Sequence, residues 1–245
     1  MPRQVVTITL GELKWTNLLY AIGARPDRPG APRPYLWTSF FKVDGDGVQG
    51  DGRGGLAGTP QIYVTDRNGD DPIFPAAPAE CCAAIPRTVG QWSGTLSPIP
   101  AVAGPRNDHE GPGLVGVAVA VLQSQGFSTA AAGATRAALD DAIRAAISRT
   151  VARESLPDIY VRLPDQVSAA LCETDHRGRS RPSDQLLGHL VLTWCQPWST
   201  GKYANQLLCA SGDQLFSGKL RAGWWEEWEL NGLVATRDIV DSPTA

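Results

Sequence analysis

Asp44-Gly45-Asp46-Gly47, Gly50-Asp51-Gly52 and, further on, Asp66, Asp70 and Asp71 gather carboxylates and glycines just past a stretch that reads as a strand. A hard cation such as calcium prefers several oxygens from carboxylates, backbone carbonyls and water. Asp44, Asp46 and Asp51 are spaced to curl around one ion, with glycines letting the backbone turn its carbonyls inward. Asp70 and Asp71, after Asn68-Gly69, can add ligands from a neighbouring loop if the two loops meet. The metal set read from the sequence is therefore Asp44, Asp46, Asp51, Asp70 and Asp71, with calcium as the candidate cofactor. The plain alternative is that the same residues form ordinary solvated turns. The helix–loop–helix calcium motif is not satisfied, because its closing glutamate is missing and a strand precedes the loop.

Other chemistry has less to build on. Gly-x-Ser-x-Gly, the turn that exposes a serine nucleophile, does not occur. His109 stands in Asn107-Asp108-His109-Glu110-Gly111, where acid, base and carboxylate are neighbours in sequence, a pattern that suits a solvated loop better than a convergent site. Arg177, Arg179 and Arg181 alternate in a polar loop near His176, positions that hold a phosphate or simply solubilise the chain. The five cysteines, Cys81, Cys82, Cys172, Cys195 and Cys209, contain no Cys-x-x-Cys pair, so a structural zinc site has little support. They read as small buried hydrophobes in a reducing compartment, with vicinal Cys81-Cys82 the pair to watch.

The elements that must carry these residues are mostly extended. The 245 residues suffice for one large domain, and we find no internal boundary, so residues 1–245 read as one unit. A net charge of −3 argues against general nucleic-acid binding, which needs a concentrated basic face. No apolar run is long enough to span a bilayer. The N-terminus alternates like a strand and lacks the apolar block of a secretory signal, which points to the cytoplasm while leaving non-classical export open.

The 19 prolines and 26 glycines punctuate short strand-like segments at residues 4–10, 35–43, 61–65, 114–122, 186–194 and 224–236. This pattern predicts a mainly β fold, an antiparallel two-sheet sandwich with long connections. Leu114 to Leu122 is apolar on both faces and fits a central strand covered on two sides. Ser128 can cap an alanine-rich helix running to about Arg153, with Leu139, Ile143, Ile147 and Val151 as its apolar stripe. Pro157 and Pro164 stop it, and a second, shorter helix is expected at residues 165–173, so that residues 128–173 form a helical hairpin inserted in the β sequence. In Gly223 to Val234 the even-numbered face (Trp224, Glu226, Trp228, Leu230) is the better core candidate, and Asn231-Gly232 a turn or a bulge.

Leu36 to Asp46, Ser183-Asp184-Gln185-Leu186-Leu187-Gly188 and Trp225 to Gly232, in that order after the first strand, resemble a group of bacterial β-sandwich proteins with an inserted helical pair. The layout is distantly similar to the calcium- and lipid-binding sandwich domains of protein kinase C and synaptotagmin. Asp184-Gln185-Leu186-Leu187-Gly188 resembles the Asp-Asp-hydrophobic-hydrophobic-Gly turn that opens a late strand in those domains, with Gln185 in the second acidic place.

These readings converge on a non-catalytic binding or assembly protein whose acidic loops, residues 44–55 and 66–73, are ordered by calcium and present a recognition surface. Its ligand would be a protein, a small molecule or a glycan, the last through Trp92 or Trp198, and self-association is open to it. The runner-up is an enzyme with a pocket between the sandwich and the helices, using His109, His176 or Cys81 in unassigned roles; Cys82 has no assigned role either.

Overall fold

The computed structural model describes residues 1–17, 34–64, 80–101, 110–123, 129–178, 185–197, 212–222 and 226–239. Among them are β1 (Gln4–Asn17), β2 (Pro34–Val43), β3 (Val48–Gly50), β4 (Leu56–Gly58), β5 (Gln61–Val64) and β6 (Glu80–Ala84). There follow the single-turn helix α1 (Arg87–Gly90), β7 (Gln91–Leu96), β8 (Leu114–Gln123), α2 (Thr129–Arg153), α3 (Leu156–Gly178), β9 (Gln185–Cys195), β10 (Gln214–Ala222) and β11 (Glu226–Asp238). The chain is mainly β, and every ladder is antiparallel. Nine strands follow the order β5-β2-β8-β9-β10-β11-β1-β6, with β7 continuing beside β1; β3 and β4 form a separate pair.

Strand β8 explains the arrangement. Its residues alternate between the two sides of the sheet, and both sides are buried. Val115, Val117, Val119 and Val121 join Val6, Ile8, Leu10, Leu36, Phe40, Trp194, Trp228 and Leu230 in one core. Leu114, Ala118, Ala120 and Leu122 join Tyr35, Trp37, Phe41 and the apolar stripes of α2 and α3 in a second core. The expected two-sided burial of this run is therefore observed.

Among the described residues the link between β9 and β10 is narrow, Arg221 opposite His189 and Ala222 opposite Gly188, so the path can bend there. Its two ends then approach each other. Tyr63 of β5 and Trp92 of β7 place their ring centroids 5.5 Å apart at 45°. The Thr38 hydroxyl of β2 donates to the Val89 carbonyl at 2.6 Å.

Helix α2 matches its expected span, and Leu139, Ile143, Ile147 and Val151 are all buried. Helix α3 corrects the expectation of a short helix at residues 165–173: it starts at Leu156, ends at Gly178 and carries Pro164 inside. An internal proline costs roughly 3 kcal/mol. The buried row Ile159, Tyr160, Leu163, Val167 and Leu171 recovers about 1.5–3 kcal/mol per large side chain and outweighs that loss. Pro157 falls in the first turn, where proline is tolerated.

On β11 the even face is the buried one, with Trp228 and Leu230 fully inside and Trp228 stacked on Trp15 at 5.5 Å. Asn231-Gly232 is neither a turn nor itself a bulge: β11 runs straight through it. The register shift lies opposite, between Leu10 and Glu12 of β1. Strands β3, β4, β6, β7 and β10 were not among the expected segments. No helix among the described residues is long and apolar enough to cross a membrane.

If α2 packs on the sheet through its stripe, Ile143→Ala should lose about 2–5 kcal/mol of unfolding free energy in urea denaturation. Ala145→Ser, at an exposed position two residues on, should stay within about 0.5 kcal/mol. Equal, negligible losses would mean the helix is not docked there.

Candidate functional site

Strand alternation puts Leu36, Thr38, Phe40, Lys42 and Asp44 on one line, the side that faces β1 and β7. The first three meet apolar partners or the Val89 carbonyl. Lys42, at the rim, keeps only 5% of its side chain exposed, and Asp44 only 1%. The Lys42 ammonium donates to Asp44 Oδ2 at 2.9 Å, Asp46 Oδ2 at 2.7 Å and the Thr95 carbonyl at 3.0 Å. A lysine has three protons to give, so its capacity is filled.

The carboxylates are equally engaged. Asp44 Oδ2 also accepts from the Ser97 backbone N–H at 3.0 Å, and Asp44 Oδ1 from the Asp46 N–H at 3.3 Å. Asp46 Oδ1 accepts from the Ser97 hydroxyl at 2.8 Å and lies 3.6 Å from the Arg3 guanidinium. Gly45 donates its N–H to the Ser97 carbonyl, and a Cβ there would run into the Pro98 carbonyl oxygen. This glycine serves close approach of two chain segments. Burial by itself would lower the pKa of Lys42, but hydrogen bonds to Asp46 and Asp44, with their charges, raise it above the ordinary 10.5. The Lys42 hydrogen bond is the main cause that holds Asp46 below the ordinary 3.8, with Ser97 and the charges of Lys42 and Arg3 adding to it against partial burial.

Of the five aspartates read as metal ligands, Asp44 and Asp46 are thus brought together, around a lysine from their own strand. Asp51 is apart, fully exposed, with Oδ1 accepting from the N–H groups of Arg53 at 2.7 Å and Gly55 at 2.8 Å, which lower its pKa. Asp70 and Asp71 lie outside the described residues. Among the described residues no three His, Cys, Asp or Glu side chains converge to hold a metal ion. A cation entering between Asp44 and Asp46 would have to displace Lys42. The sequence held a signal for this, since residues two apart on a strand share a face, so Lys42 had to lie beside Asp44.

A second constellation lies between the sheet and the helices, the location expected for an enzyme pocket. His189 of β9 is buried, and its Nε2 is 2.7 Å from the Ser168 hydroxyl and 3.8 Å from Cys172 Sγ, both on α3. Ser168 and Cys172 are four apart and share a helix face. None of the three was singled out from the sequence as carrying this chemistry, because spacing alone does not reveal which strand position meets which helical turn. Of the residues that were, His109 lies outside the described residues, as do the side chains of His176 and Cys81. Trp198 is also outside them, and Trp92 is largely buried against Tyr63. Cysteine burial holds for Cys195, whereas Cys82 and Cys172 are exposed, a correction to the reading of cysteines as buried hydrophobes.

Compared with protein-family models, curated protein sequences and solved structures, the chain matches none.

Lys42→Met should cost about 3–5 kcal/mol, because it strands a buried carboxylate without its cation. The pH dependence follows from the direction of the shifts. Asp46, with its pKa lowered on folding, adds stability that is present above the ordinary value near 3.8 and fades as pH falls through the lowered one. Lys42, with its pKa raised, adds stability that is present below 10.5 and fades as pH rises through the raised value. Denaturation measured from acid to alkaline pH should show both limbs in the wild type and flatten both in Lys42→Met.

Proposed function

We propose that the chain is a binding or assembly protein built on a β-sandwich, with α2 and α3 as a helical hairpin inserted between its strands. In this reading β5, β2, β8 and β9 form one layer, and β10, β11, β1, β6 and β7 the other. The likeness to the sandwich domains of protein kinase C and synaptotagmin belongs to the same proposal. One observation carries the functional part: Leu215 of β10 is 87% exposed on the outward side of its layer.

Its cross-strand neighbour Leu233 is partly exposed, and Val5 is exposed further along the same side. Around these apolar residues the face is polar and carries both signs. Thr7 and Ser93 share a hydrogen bond at 2.9 Å, Ser217 donates to Glu229 at 2.6 Å, and Lys219 pairs with Glu227. Leaving a leucine in water forgoes roughly 1.5–3 kcal/mol that a partner can recover. A face with lysines and glutamates interspersed complements its own inverted copy, so a second copy of this chain is the partner the chemistry fits. Loop order in this reading comes from Lys42, with calcium as a competitor for Asp44 and Asp46.

Sedimentation velocity at micromolar concentration should show a dimer for the wild type and a monomer with unchanged circular dichroism for Leu215→Glu. A monomeric wild type, or a dimeric variant, would remove the outward face from the proposal. Millimolar calcium should change the Tm no more than magnesium does at equal concentration. A calcium-specific rise of several degrees would restore the ion to the acidic loops.

A further inference from the structure

We propose that Ser168 and His189 are a nucleophile and general base for acyl transfer, acting on a small ester in the layer between the sheet and α3. The proposal stands apart from the outward face, which lies on the other side of the molecule's β layers, and would survive its failure.

The first observation is the pair itself. A hydroxyl 2.7 Å from an imidazole nitrogen is the contact through which such a base accepts the nucleophile's proton. Ser168 is partly exposed and Cys172, one turn away, is exposed, so the pair lies near the edge of the helix–sheet layer and not at its centre. The second observation is independent of the pair. Trp37 of β2 pairs with Ala120 of β8, and Ala120 pairs with His189 of β9, so the three form one row on the face turned to the helices. The next row on that face is Ser39, Ala118 and Val191.

Trp37 is only 4% exposed and Ser39 fully buried, yet neither the Trp37 indole N–H nor the Ser39 hydroxyl has a hydrogen-bond partner among the described residues. A buried polar group without a partner costs about 1–3 kcal/mol, so two on adjacent rows call for an explanation. Along the sheet, the residues between these two and β9 are the small Ala118 and Ala120. A bound carbonyl group would give these donors what they lack. The acyl portion would meet the apolar side chains of Leu122, Val167 and Leu171, which favours a compact, uncharged acyl group.

The step balances without an outside reagent other than water. With the His189 proton on Nδ1, Nε2 accepts the Ser168 hydroxyl proton as the Oγ–carbonyl carbon bond forms. The bond from that carbon to the leaving oxygen breaks, and the leaving alcohol takes the proton back from Nε2. Water, deprotonated by the same nitrogen, then cleaves the acyl-serine to release a carboxylic acid and restore the hydroxyl. Trp37 and Ser39 would hold the substrate's carbonyl end. Cys172 shares Nε2 at longer range and is not required for the step.

The test treats the intact chain with a fluorophosphonate, in which Ser168 Oγ displaces fluoride from phosphorus, and maps the adduct by peptide mass spectrometry. Adduct on Ser168 of the native protein, absent after urea denaturation, is the expected result. His189→Gln should slow labelling at least about 100-fold, the scale of a lost general base. Trp37→Phe, which removes the N–H together with part of the ring, should lower kcat for p-nitrophenyl acetate hydrolysis more than it raises KM, because a donor to the reacting carbonyl binds its developing oxyanion most tightly. No adduct on native Ser168, or an equal labelling rate in His189→Gln with its melting curve intact, would overturn the proposal. Because the mapping uses the wild type, a variant that fails to fold does not shelter it.

Discussion

A single ammonium group, that of Lys42, joins β2 and β7, strands near opposite ends of the long sheet path. It leaves β2 at the rim, meets two carboxylates of the turn that follows and reaches across to the Thr95 carbonyl of β7. Because Lys42 and Asp44 are nearly withdrawn from water, each would be costly alone. Together Lys42 and Asp44 offset each other's charge, Ser97 donates one hydrogen bond to each aspartate, and all three ammonium protons are used. Further contacts join the same strands and turns. The Ser97 carbonyl takes the Gly45 N–H, the Thr38 hydroxyl finds Val89, and Tyr63 reaches Trp92.

A second buried polar junction works alongside it. Gln196, just past β9, donates its side-chain N–H groups to the carbonyls of Pro2 and Leu96 and accepts from the Gly113 N–H at 2.8 Å. Four chain segments far apart in sequence are thereby tied at one fully satisfied amide. Tyr160 does the same for α3, donating its hydroxyl to the Pro112 carbonyl at 2.6 Å, while burial raises its pKa well above 10.0 and keeps the proton in place. Apolar packing supplies most of the stabilisation, and these junctions decide which segments meet.

Much of the fold was legible because the informative signals are local. The two-sided apolar run of β8, the four-residue spacing of the α2 stripe and the buried even face of β11 each follow from period and composition. What was missed depends on contacts distant in sequence. Pro164 reads as a stop until the buried row on either side of it is known. Strand β10 mixes Ser217, Gly218 and Lys219 into its span, and the Leu190 side chain lies against Gly218. The acidic turn was read as a place for a metal ion, and the structure puts an ammonium between two of its carboxylates. Its lysine, two residues earlier on the same strand face, went unread as that cation. His189 and Ser168 meet only through the docking of α3 on β9, which no spacing in the sequence encodes.

The role of Lys42 can be read most directly from the nitrogen-15 NMR signal of its side chain. A buried ammonium with all three protons hydrogen-bonded exchanges slowly with water. One lysine resonance, assigned by its loss in Lys42→Arg, should therefore stay visible near neutral pH and keep its shift in millimolar calcium. A Lys42 signal erased by rapid exchange, or one that vanishes when calcium is added, would contradict a lysine-centred rim.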